Sequence, residues 1–209
     1  GVSDHEMLKT FNCGVGFCLV IKANNLKKIK KYFKKIIKNK NQVIESLGKS
    51  YKVNYNIKTI NSYKKFSNFR LIGMGGSVLG TQAIYDFLKY KIKKNFVFID
   101  NLQNKKNKIE KKKYLNLIIS KSGNTIETIV NTNILIKKNE KNIFITENKI
   151  NYLNLLAQKL KAEIIQHNNF IGGRYSVLSE VGMLPAELMG FKPENFRQLN
   201  HLIQRKNFL

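Results

Sequence analysis

The chain has 209 residues, enough for one α/β domain with a short appendage and too few for two full catalytic domains. Hydrophobic residues at 43% and charged residues at 24% are globular values and exclude a disordered chain. The formal charge is +25, but only Arg70, Arg174, Arg197 and Arg205 are arginines, and the lysines run along the whole chain among Asn and Ile, which disfavours nucleic-acid binding as the primary function.

The chain opens with GVSDHEM, without Met or a basic-then-apolar leader, so no secretory signal is visible and the start reads as lying inside a longer frame. The apolar run FNCGVGFCLVI (11–21) predicts a strand. Cys13 and Cys18 within it form no CxxC, and His5, His167 and His201 make no ligand pattern, so a reducing, cytoplasmic setting without metal is expected. An Asn-Asn pair then leads into the lysine-rich helix LKKIKKYFKKIIK, which it is expected to cap. Residues 36–68 are polar and irregular and read as a linker and domain edge.

From residue 69 short apolar strands alternate with amphipathic helices. Strands are expected at 69–74, 95–100, 114–120, 142–146 and 162–166, and helices at 78–91, 125–138 and 150–161. A further helical stretch, 175–184, is expected to stop at Pro185. Continuous apolar strands separated by helices mean a doubly wound parallel sheet covered on both faces. No apolar run reaches the roughly 20 residues needed to span a bilayer.

Ligands in open α/β sheets bind beyond the carboxyl ends of the strands, and three loops there carry chemistry. GMGGS (73–77) lets backbone amides approach an anion at a helix start. A dinucleotide fingerprint would need Gly at position 78, where Val78 stands, and Asp100 keeps that alternative open only weakly. SKSGNT (120–125) gathers three hydroxyls, Lys121 and free amides where a strand hands over to a helix, a set that suits a phosphate. The same residue types also serve as simple caps and turns. GGRYS (172–176) places the planar donors of Arg174 at a close-approach loop, where the residue is either a substrate group or a surface one.

The strings GMGGSVLG, SKSGNTIET and GGRYSVLSEVGMLP, in this order, resemble the glucose-6-phosphate isomerase family over roughly residues 69–190. The resemblance implies a flavodoxin-like sugar-isomerase domain with a five-stranded parallel sheet. It implies that Ser77, Ser120, Ser122 and Thr125 bind a sugar phosphate with Lys121 beside them, that Gly76 lies against the sugar, and that Arg174 stabilises an enediolate. Glu127 would orient a histidine that assists ring opening, although a first-turn acid also favours the helix dipole. Glucose 6-phosphate and fructose 6-phosphate would be interconverted through a cis-enediol without metal or redox cofactor, in a homodimeric parent enzyme. The family's base Glu, ring-opening His and closing Lys belong to later motifs that these 209 residues do not match. Residues 69–209 are therefore expected to be an incomplete isomerase domain, inactive alone.

The opening DHEMLKTFNCGVGFCLVI is similar to the tail of the phosphoribosylformylglycinamidine cyclo-ligase family, which implies a composite chain with a foreign piece over residues 1–35. Two other readings stay open: a non-catalytic sugar-phosphate-binding module of the same fold, and an isomerase that also takes mannose 6-phosphate.

Overall fold

The computed structural model describes residues 22–38, 46–103, 113–137 and 139–197. The predicted strand at 11–21 and His5, Cys13, Cys18 and His201 lie outside these residues. The chain divides into two compact units between Lys40 and Asn41. In the first, the helix α1 (Leu26–Lys38) forms as its apolar spacing predicts. The Asn-Asn pair lies in a 3-10 turn, Ala23–Asn25, leading into it.

The second unit contains a five-stranded parallel sheet in the order β2-β1-β3-β4-β5. The strands are β1 (Asn68–Gly73), β2 (Asn95–Ile99), β3 (Leu115–Ile119), β4 (Lys141–Glu147) and β5 (Glu163–His167), close to the expected ranges. Alternate side chains pass to opposite faces. Phe69, Leu71, Leu117, Ile119, Ile143 and Ile145 build one core, against α2 (Ile57–Tyr63), α3 (Leu79–Leu88) and α6 (Glu180–Met189). Ile72, Ile118 and Phe144 build the other, against α4 (Ile126–Leu135) and α5 (Tyr152–Lys159). Both faces are covered, which explains why β3 is buried at every residue.

Two local outcomes differ from the sequence reading. The polar stretch before residue 69 contains α2, seven residues long, with Asn56 as its cap and Ile60 buried in the first core. The expected stop at Pro185 is also corrected: a 3-10 turn, Gly173–Leu178, precedes α6, and α6 continues through Pro185 to Met189. Proline lacks the N–H that would bond Val181 O one turn back. The Thr81 hydroxyl of α3 donates to that carbonyl instead, at 3.3 Å.

At the amino end of the sheet, the buried Asn116 is satisfied by a polar network. Its amide nitrogen donates to Glu140 Oε2 (2.9 Å) and Asn142 Oδ1 (2.8 Å), and Arg70 bonds Asn116 Oδ1 and pairs with Glu140 at 3.8 Å. A buried amide left without these partners would cost about 1–3 kcal/mol. Among the described residues no helix is long and apolar enough to cross a membrane.

Candidate functional site

Strands β1 and β3 are neighbours whose following helices, α3 and α4, lie on opposite faces. The chain leaves their carboxyl ends in opposite directions, which opens a crevice at the point where strand order reverses. The loops at 73–77 and 120–125 both start there.

In the first loop, Met74 is followed by a 3-10 turn, Gly75–Ser77, that delivers the chain into α3. Gly76 is required by close approach: a Cβ there would stand 2.2 Å from Gly173 O and 3.0 Å from the Arg174 nitrogen. The Gly-Gly-Arg turn therefore lies directly on the first loop. Ser176, buried, ties the two together, donating to Gly173 O at 2.7 Å with Gly76 O at 3.3 Å. Arg174 itself is exposed at this junction.

In the second loop the hydroxyls of Ser120 and Thr125 meet at 2.8 Å, and Ser122 Oγ accepts from the Asn124 amide at 3.2 Å. Gly123 has φ +66°, and a Cβ there would stand 2.0 Å from Asn151 Oδ1, so both conformation and space demand glycine. Asn151 caps α5 through Oδ1 (2.9 Å to the Asn154 amide), while its Nδ2 donates to Thr146 Oγ1 at 3.2 Å and Lys149 O at 3.0 Å. Asn124 Oδ1 accepts from the Tyr152 amide at 3.0 Å. These contacts fix the loop to α5 from below.

The amino ends of the helices divide into two groups. Asn56, Asn151 and Ser179 cap α2, α5 and α6 with side-chain oxygens. At α3 and α4 no side-chain cap bond forms, and the Thr125 hydroxyl turns to Ser120 instead. The two helices that open at the crevice therefore keep first-turn amides without a side-chain acceptor, and such amides bind anions.

Lys121 stands behind the loop: its ammonium donates to Asn169 O at 2.7 Å and pairs with Glu147 at 3.5 Å. Burial raises the Glu147 pKa, but Lys149, in direct contact with it, and Lys121 outweigh burial and hold the carboxyl below its ordinary value. Glu127 is half-buried in the first turn of α4. The structure thus gathers Gly76, Ser77 and Arg174 at one junction, and Ser120, Lys121, Ser122, Thr125 and Glu127 around the adjoining helix start. Sequence reasoning named the GGRYS loop without giving Ser176 a role and missed Asn151, the residues that set the loop geometry; Asn151 carried a cap signal just before an apolar helix.

The fold is that of the sugar-isomerase class. A solved protein from Thermus thermophilus, described as hypothetical, superposes with TM-score 0.58 at 19% identity, over 87% of this chain and 51% of that one. Tagatose-6-phosphate ketose/aldose isomerase from Escherichia coli gives TM-score 0.53 at 15% identity, over 70% and 44%. A sequence profile of the family described as phosphoglucose isomerase matches residues 19–204, and the chain belongs to that family. The match includes α1. The glucose-6-phosphate isomerase of Methanocaldococcus jannaschii is 34% identical over 168 residues, which is 73% of this chain and 40% of that protein. The chain thus spans less than half the length of this relative.

Proposed function

We propose that these residues form the phosphosugar-binding half of a glucose-6-phosphate isomerase site. The observation that carries the reading is the pair of helices, α3 and α4, that open at the strand-order reversal without side-chain caps, beside Ser77, Ser120 and Thr125. A phosphate brings three acceptor oxygens and nearly two negative charges, which hydroxyls and first-turn amides satisfy together. Lys121 adds a fixed positive charge behind the loop, partly balanced by Glu147.

In the reaction a proton passes between C2 and C1 of the open-chain sugar, and negative charge develops on the enediolate oxygens. Arg174, whose backbone lies against Gly76, stabilises that charge with its planar donors. Glu127 orients the ring-opening histidine. The base, that histidine and the closing lysine come from the family's later motifs, and the complete enzyme works as a homodimer. This reading prevails over a binding-only module because such a module needs the phosphate loop but not Arg174.

Thermal protection by ligand tests it. Fructose 6-phosphate raises the melting temperature and fructose does not. Ser120→Ala or Thr125→Ala weakens binding by about 1–3 kcal/mol, the range for a hydrogen bond to a charged group. Equal protection by phosphorylated and plain sugar rejects the assignment.

A further inference from the structure

We propose that the amino-terminal edge of the sheet, at the starts of β1 and β2, is a second binding surface that takes single-stranded nucleic acid. It lies at the opposite end of the strands from the phosphosugar crevice and does not depend on that reading.

The register gathers the cations. Asn68 pairs with Asn95, and the Asn95 amide donates to Ser67 O at 2.9 Å, so the lysines preceding each strand are brought side by side. Lys64 and Lys65 follow α2; Lys89, Lys91, Lys93 and Lys94 follow α3. Lys94 Nζ reaches across to Lys64 O at 2.8 Å. All but Lys94 are exposed, and Asp86 is the only carboxylate in residues 60–95. The crowding is felt: burial, and after it the positive charge of Lys64, lowers the pKa of Lys94.

Lysines alone would make an ordinary solvated face. Here Phe87 and Tyr90 stand among them, 80% and 78% exposed. They are three residues apart at the end of α3 and the 3-10 turn Lys89–Lys91, and so share one side of the helical surface. Other aromatics nearby are inside: Phe69 and Phe96 stack at 4.7 Å, and Tyr85 packs on Phe96 at 5.7 Å. Two large rings exposed among these lysines, with Lys91 over the Tyr90 ring at 5.3 Å, match the two parts of a single-strand site, in which lysines follow phosphates and flat rings stack on bases. Duplex bases are already stacked and cannot use the rings. An acidic peptide would engage the lysines without needing ring faces, and an anionic membrane, which would bury the rings, is separated by its own arm of the test.

Fluorescence anisotropy with the 209-residue chain distinguishes these occupants, using a labelled oligothymidylate roughly 16 nucleotides long, the upper range for one compact site. The single strand binds more tightly than a duplex of equal length at the same salt. The double variant Phe87→Ala/Tyr90→Ala weakens single-strand binding about tenfold or more with an unchanged salt slope, because stacking is lost and charge is not. The triple variant Lys89→Gln/Lys91→Gln/Lys93→Gln reduces the slope of log affinity against log salt by about 2, at roughly 0.7 per phosphate contact. Both variants keep the wild-type melting temperature and the protection by fructose 6-phosphate. Equal binding of single strand, duplex and heparin, or wild-type affinity in the ring variant, overturns the proposal and leaves only undirected charge. Tighter binding to anionic vesicles or to polyglutamate than to the oligonucleotide overturns it as well.

Discussion

His167 closes β5 and is 1% exposed, with Nδ1 2.9 Å from Asn168 O. Burial chiefly, with help from Lys121, lowers its pKa below 6.5, against the opposing pull of the Asn168 carbonyl, Glu180 and Glu147. A depressed folded pKa means that protonation costs the native state more than the unfolded one. The contribution is complete above the unfolded value and is lost as pH falls toward the folded one. The melting temperature therefore declines as pH falls below the ordinary imidazole value of 6.5, and His167→Gln flattens that decline. A variant with the wild-type slope would place the titration elsewhere.

At the level of elements, the passage of α6 through Pro185 depends on Thr81. Removing the hydroxyl leaves Val181 O buried without a donor, so Thr81→Val destabilises by about 1–3 kcal/mol in denaturant unfolding. In a Pro185→Ala background the restored backbone N–H supplies the bond, and the same substitution costs less. Equal costs in both backgrounds would show that the hydroxyl does not replace the missing amide. Here the sequence misled for a definite reason: the rule that proline ends a helix assumes that no neighbour satisfies the freed carbonyl, and Thr81 comes from a distant helix. The seven-residue α2 escaped for a related reason, since Ile60 is buried by the sheet and not by any periodic apolar stripe of its own. By contrast, the five strands were legible because each is a short apolar run between turn residues. The two strand-to-helix loops at 73–77 and 120–125 were legible as turns because Gly, Ser and Thr mark such turns. The supports beneath them were not, because Ser176 reaches Gly76, and Asn151 reaches Gly123, from other parts of the chain.

For the molecule as a whole, the question is how much of the reaction one half of a site can perform. These residues hold the hydroxyls of Ser77, Ser120 and Thr125 and the guanidinium of Arg174, the groups to which the proposed function gives substrate binding and charge stabilisation. Enediol chemistry also needs a base within hydrogen-bond reach of the C1 and C2 protons, worth typically about 10²–10⁴-fold. On the proposed function, the expected outcome for the 209 residues by themselves is binding of fructose 6-phosphate without measurable turnover in a coupled assay. On the proposed function, the same residues in a chain extended through the family's later motifs are expected to interconvert glucose 6-phosphate and fructose 6-phosphate. In that longer chain Arg174→Ala lowers kcat more than it raises KM, because the charge that Arg174 meets develops mainly in the transition state. Robust turnover by the 209 residues alone would mean that a carboxylate within them reaches the substrate. An Arg174→Ala effect confined to KM would make Arg174 a ground-state binder, and the distinction from a binding-only module would then rest on turnover alone.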